Sequence, residues 1–326
     1  MKTVQLQKKT GEAWQYLSNH IELIQPLVLV LGNRFLLESD SVYKELRDFF
    51  PHGHLVFGSS CGELVGSSVN DDHITVTAIE LERSSFQIQT YNINDANGDS
   101  EIAGRAVVQK LNPKGLKYIF VLSEGSFVNG SALTKGMQES LPKVLITGGL
   151  CGDDSRFEKT IVSYNEAPKE GEIVVIGFYG DTLEVSFSIY GGWTPFGPER
   201  LVTKAEGNVL YEIDGRPALD LYKTYLGDKA NELPGSALLY PLNVKNQENK
   251  QSFVRTILNI DEEKNAMILA GDVPNNSTVQ LMMTNMDSIA AASETAAIRA
   301  MEGRSQPPQL ALLISCIGRK LVLDQR

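Results

Sequence analysis

A strand–helix–strand unit occurs twice in the first half of this chain, each time running into the same short turn. That duplication constrains the fold more than any other feature. In the first copy, Leu27 to Leu31 reads as a buried strand and Gly32 and Asn33 as a loop. Ser41 to Phe50 then places Val42, Leu46 and Phe49 or Phe50 at three- and four-residue spacing, the period of a helix with one apolar face. Pro51 ends the helix, and Leu55 to Phe57 is a second strand entering Gly58-Ser59-Ser60-Cys61-Gly62-Glu63. In the second copy, Leu116 to Leu122 is the strand and Ser131 to Leu141 the helix, with Leu133, Met137 and Leu141 on one face. Pro142 stops it, and Val144 to Ile146 enters Gly148-Gly149-Leu150-Cys151-Gly152-Asp153-Asp154. Both turns read Gly-x-x-Cys-Gly-carboxylate, and the two cysteines stand ninety residues apart.

A weaker third copy is expected near the end. Val279 to Met283 is its strand, Asp287 the N-cap of an Ala-rich helix to Met301, and Leu310 to Ile314 its second strand, leading into Ser315-Cys316-Ile317-Gly318-Arg319. All three cysteines then close an apolar strand beside a glycine. The alternating segments His73 to Glu82, Phe86 to Tyr91, Glu172 to Tyr179 and Leu183 to Tyr190 read as antiparallel strands. The expected class is therefore α+β, a mixed α/β arrangement of repeated strand–helix–strand units with largely antiparallel sheets and two subdomains, not a doubly wound parallel sheet. Val209 to Ile213, the turn Asp214-Gly215 and a helix starting near Pro217 break the pattern, so the boundary is placed between residues 1–213 and 214–326.

Composition removes several function classes. The net charge of -10, without a Lys/Arg cluster, lacks the footprint of a nucleic-acid binder. No apolar run reaches the length of a membrane span, and the first residues are not a secretory signal. Three widely spaced cysteines argue against a disulfide framework and for a reducing, cytoplasmic setting. Phosphate-cradling, dinucleotide and hydrolase-elbow motifs are absent. His52-x-His54 is an isolated pair, expected on an exposed turn, and there is no Cys-x-x-Cys, so no zinc site is expected.

The turns carry the candidate site, since repeated units are expected to gather the three cysteine turns of Cys61, Cys151 and Cys316 around one shared hollow. Glycines at a strand end let backbone amides approach a ligand, and a carboxylate just beyond suits an amine. The competing reading is tight turns with cysteines as small core residues. A nucleophilic Cys61 or Cys151 would need a base beside it, and neither has one in sequence, so no catalytic residue is assigned. Trp193, in the Gly- and Pro-rich loop Gly191 to Pro198, lies outside regular structure and must pack its ring as a pocket wall or as a plug over the core edge.

Taken in order, these segments resemble the FIST family of intracellular sensory domains. The likeness is carried by Phe57 to Glu63, Gly148 to Asp154, Gly192-Trp193-Thr194-Pro195-Phe196-Gly197, Val202-Thr203-Lys204, Asp214-Gly215-Arg216-Pro217-Ala218 with Tyr222, and Ser315 to Arg319. The resemblance implies a FIST-N-like part over 1–213 and a FIST-C-like part over 214–326. It implies a sensor that binds a small, amino-acid-like molecule and regulates a separate signalling protein, such as a histidine kinase or receptor, rather than an enzyme. The expected ligand-binding residues are Ser60, Cys61, Gly62, Glu63, Gly149, Cys151, Asp153, Trp193, Cys316 and Arg319. No cofactor is expected under this reading. The alternative is a haem-binding nitric-oxide sensor acting on a histidine kinase or cyclic-dinucleotide enzyme, with His54 or His73 as the iron ligand. Family chains usually continue past the Cys-x-Gly-Arg turn, whereas this one stops at Arg326 and reads as a truncated or divergent form.

Overall fold

The computed structural model describes residues 1–154, 156–247 and 250–323. These form two compact units. The first holds Met1–Val185 and Gln306–Ile314; the second holds Ser186–Ser305 and the segment from Ser315.

In the first unit, β1 (Lys2–Lys9), β2 (Gln15–Tyr16), β3 (Leu27–Gly32), β4 (His54–Ser59), β7 (His73–Glu80) and β11 (Val162–Tyr164) make one sheet, in the order β11-β4-β3-β7-β1-β2. A small hairpin of β5 (Glu63–Val65) and β6 (Ser68–Asn70) follows the first cysteine turn. The second sheet takes β8 (Ser85–Asn92), β9 (Leu116–Ser123), β10 (Leu145–Leu150) and β12 (Glu172–Tyr179), in the order β10-β9-β12-β8. The duplication read from sequence is real. β3 pairs parallel with β4 and antiparallel with β7, as β9 pairs parallel with β10 and antiparallel with β12. The order β4-β3-β7-β1 in one sheet is the order β10-β9-β12-β8 in the other.

The alternation of side chains along each strand sorts the core into layers. Val28, Val30, Leu55 and Phe57 face the helix α2 (Asp40–Phe49), which follows the short α1 (Arg34–Leu37), through Val42 and Leu46. Ile119, Ile173 and Val175 face α3 (Ser100–Gln109) and α4 (Gly130–Ser140). The opposite faces, Leu27, Leu29 and Val56 on one sheet and Tyr118, Phe120, Val174 and Ile176 on the other, pack on each other. The unit is thus helix, sheet, sheet, helix, and strands covered on both faces read as continuous apolar runs. Each fully buried aliphatic side chain here contributes about 1.5–3 kcal/mol. α3 and α4 touch backbone to backbone: a Cβ on Gly136 would lie 2.0 Å from the Glu101 carbonyl oxygen, and one on Gly104 2.2 Å from that of Leu133.

The second unit is built on β13 (Thr194–Pro195), β14 (Arg200–Glu206), β15 (Val209–Ile213), β16 (Arg216–Pro217), β17 (Leu242–Lys245), β18 (Ser252–Arg255), β19 (Ile257–Asp261), β20 (Ala266–Leu269) and β21 (Thr278–Met283). They form one antiparallel sheet running β18-β17-β21-β14-β15-β20-β19, with β13 on β21 and β16 on β15. Asp214 and Gly215 take the positive φ values of the predicted turn, and Pro217 caps α5 (Ala218–Leu226). Tyr222 of α5 is buried against this sheet and donates its hydroxyl to the Tyr240 carbonyl. Among the described residues no helix is long and apolar enough to cross a membrane.

Three expectations fail. The third copy is not strand–helix–strand: β21 has only antiparallel partners, α6 (Met286–Met301) follows it, and Leu310 to Ile314 makes no strand. Cys316 therefore ends no strand; it caps the short helix α7 (Ile317–Val322), its sulfur accepting from the Gly318 amide at 3.4 Å. Asn285, not Asp287, caps α6, its side chain accepting from the Ser288 amide, while Asp287 sits in the first turn, where the helix dipole favours an acid. Leu183 to Tyr190 also forms no strand, and Phe187 and Ile189 stay exposed. Alternation marks a two-sided strip, but a strand also needs a neighbour for its N–H and C=O groups.

Candidate functional site

The two cysteine turns of the first unit lie against each other. The Gly152 amide donates to the Ser59 carbonyl at 3.0 Å, and the Cys61 thiol to the Asp154 carbonyl at 3.6 Å. A Cβ on Gly152 would lie 2.2 Å from the Cys61 sulfur, and one on Gly58 3.0 Å from the Cys151 sulfur. Each sulfur thus rests on a glycine of the opposite turn. A shared hollow between the bends is replaced by a direct joint, because sulfur and glycine fill the space. Gly62 and Gly148 take φ values of 127° and 153°, which suit glycine. Cys316 belongs to the second unit. The Cys151 thiol is pushed well above its usual range, first by burial and then by the nearby Glu124 and Cys61, so it stays protonated at neutral pH.

Buried carboxylates ring the joint. Glu63 is almost fully buried and accepts from the Ser60 hydroxyl. Asp153 is buried as well and is held from four sides: Arg34 Nε at 2.9 Å, Arg156 Nη2 at 2.7 Å, and the amides of Glu158 and Lys159 at 3.4 and 3.3 Å. Burial alone would raise the Asp153 carboxyl. The hydrogen bonds from Arg156, Arg34 and the Lys159 amide overcome it, and the group ends below the usual carboxylate range. Glu124, at the end of β9, has no exposure and accepts from the Phe127 amide at 2.8 Å, the Thr160 hydroxyl at 2.6 Å and the Ser126 amide. Phe35, half exposed, lies between two guanidinium groups, with Arg34 4.3 Å and Arg156 4.8 Å from its ring centre. Gly149 lies on β10 beside Ile314, whose Cγ2 is 3.3 Å from where a Gly149 Cβ would stand.

Arg34, Phe35, Glu124 and Arg156 were not read from the sequence. The signal available was position: Arg34 follows the loop after β3, Glu124 directly follows β9, and Arg156 stands at i+3 from Asp153.

The two histidines stand at opposite ends of their sheet, since β3 pairs Leu27 with His54 and Gly32 with Ile74. His54 is not on an exposed turn. It opens β4, stacks on Tyr164, meets Phe86 edge-on, and shares a 2.6 Å hydrogen bond with the Tyr164 hydroxyl. Burial, then the nearby Arg47, lowers its pKa. His73 Nδ1 meets the Asp71 carbonyl. Among the described residues no three His, Cys, Asp or Glu side chains are grouped to hold a metal ion.

In the second unit, Trp193, Cys316 and Arg319 gather around one loop. The Trp193 indole donates to the Leu239 carbonyl at 3.3 Å, and its ring edge lies over Gly318. Arg319 donates to the carbonyls of Tyr190 and Gly191, both at 2.9 Å, and of Ile289 at 3.1 Å, tying the loop to α6 and α7. Burial lowers the Arg319 pKa. Part of the aromatic loop is regular after all, Thr194 and Pro195 pairing with Met283 and Met282. A groove elsewhere on this unit, between Pro198, Tyr222, Tyr225 and Leu281, contains none of the expected site residues.

Comparison with known proteins divides the chain later than the two compact units do. The FIST N domain model matches residues 26–216 and the FIST C domain model residues 218–326. An uncharacterized protein of Methanocaldococcus jannaschii is 24% identical over 300 residues, covering 79% of this chain and 54% of its own length. The chain thus spans about half the length of that curated relative.

Proposed function

Because this chain belongs to the FIST family, whose domains are signal-transduction sensors, we propose that it binds a small amino-acid-like molecule at the rim of the joined cysteine turns. The observation that supports this is the contact itself: two like turns, at the carboxyl ends of two parallel strand pairs, meet through Gly152 and Ser59. Around that contact stand cations, Arg34 and Arg156, for a carboxylate, and the carboxylate of Glu63 for an ammonium group. Ser60, Cys61, Gly62, Gly149, Cys151 and Asp153 shape the turns, and Trp193, Cys316 and Arg319 order the loop of the second unit. The reading is a cytoplasmic binding protein and not an enzyme; a protonated Cys151 thiol resting against Gly58 suits packing better than nucleophilic attack. Its output is a separate signalling protein, such as a histidine kinase or receptor.

A thermal-shift screen over amino acids and related metabolites tests this. A true ligand at one hundred times its Kd adds about 2.7 kcal/mol to stability and raises Tm. The rise is expected to vanish in Glu63→Gln. A flat response over the whole set would contradict the reading. A Soret band on haem addition, lost in His54→Ala or His73→Ala, would favour the haem alternative instead.

A further inference from the structure

The two sheets of the first unit treat equivalent edges differently. β4 is closed by β11, which pairs with it antiparallel from Val162 to Tyr164. Its counterpart β10 has β9 on one side and, among the described residues, no strand on the other. Bare apolar edges are pairing sites that folds usually cover. Leu310-Ala311-Leu312-Leu313-Ile314 lies in the same unit, holds no regular backbone pairing, and leaves Leu313 73% and Ile314 57% exposed. Pro307 and Pro308 just before it favour an extended chain.

The contacts give this segment a direction. Leu310 and Leu145, which opens β10, both pack on the core between the sheets, while Ile314 touches Gly149 near its end. The same four-residue interval separates Leu310 from Ile314 and Leu145 from Gly149, the spacing that a parallel run along β10 requires. Gly149 has no side chain to hold it away.

We infer that residues 310–314 are a strap that zips onto β10 as a fifth, parallel strand, pairing Leu310 with Leu145 through Ile314 with Gly149. In the present state the strap is docked by side chains and its backbone is unzipped. The device does not depend on the ligand proposed above.

Hydrogen–deuterium exchange on the full chain tests it. The amides of 310–314 are expected to exchange at least about tenfold more slowly than unstructured chain. Leu312→Pro, which removes a ladder donor opposite Thr147, should abolish that protection and speed exchange in 145–150, while β9 and α4 stay unchanged. Unprotected 310–314 amides in the unaltered protein, or an unchanged pattern in Leu312→Pro, would overturn the inference. Should Leu312→Pro fail to fold, the register is read by cross-linking in a Cys316→Ser background. Thr147→Cys with Leu312→Cys should join under oxidised glutathione and Thr147→Cys with Leu310→Cys should not; equal joining, or none, overturns it.

Discussion

Arg34 and Glu124 occupy equivalent places in the two halves of the first unit, because Gly32 pairs with Ser59 as Leu122 pairs with Gly149. They behave in opposite ways. Arg34 leaves its own half and binds Asp153 of the other, while Glu124 turns back on the loop that follows it. The carboxylates differ too: Glu63 accepts from a neighbouring serine, whereas Asp153, its counterpart, holds two arginines and two amides. The cover differs as well, with one long helix over the first sheet and two over the second, and the first sheet extended at both edges by β2 and β11. Duplicated backbone decides where the turns meet; unlike side chains decide which half clamps the other.

If Asp153 is that clamp, its loss is the largest effect expected. Asp153→Ala leaves Arg34 buried without its main partner and should cost about 3–5 kcal/mol in urea unfolding. Glu63→Ala, in the equivalent position, removes one hydrogen-bond acceptor and should cost about 1–3 kcal/mol. Equal costs would erase the asymmetry. Next comes steric overlap at the joint. Gly152→Ala puts a methyl group into the Cys61 sulfur and should destabilise by about 1–3 kcal/mol, and Gly58→Ala by less, since its contact is looser. The reverse order would mean that Cys151, not Cys61, is the tighter knob.

The smallest effect is a pH slope. Asp153 is depressed in the folded chain, so its contribution is whole above the unfolded carboxylate value of about 4 and fades as pH falls through its lower folded value. Stability measured from pH 5 downward should therefore fall less steeply in Asp153→Asn than in the unaltered protein.

Helical periodicity made Ser41 to Phe50 and Ser131 to Leu141 legible, and continuous apolar runs made Leu27 to Leu31 and Leu116 to Leu122 so, because strands covered on both faces need no polar side. The meeting of Cys61 with Cys151 was legible from duplication alone. That the meeting leaves no hollow was not, since the fit of a sulfur on a glycine depends on how two sheets stack. Arg34 and Glu124 were hidden for a related reason: their roles follow from register between distant strands. Leu183 to Tyr190, which alternates, and Leu310 to Ile314, an apolar run, show the converse: segments that read as strands but find no backbone partner in this state. Cys316 was misplaced with them, as a strand end instead of a helix cap.

Whether the two turns act as a single joint is settled most directly by a double-mutant cycle between Gly152→Ala and Cys61→Ala, read by chemical denaturation. Removing the sulfur makes room for the added methyl group, so the pair should be more stable than the two single changes sum to, by about 1–2 kcal/mol. Additivity to within about 0.5 kcal/mol would show that Cys61 and Gly152 do not touch, and the joint would not exist.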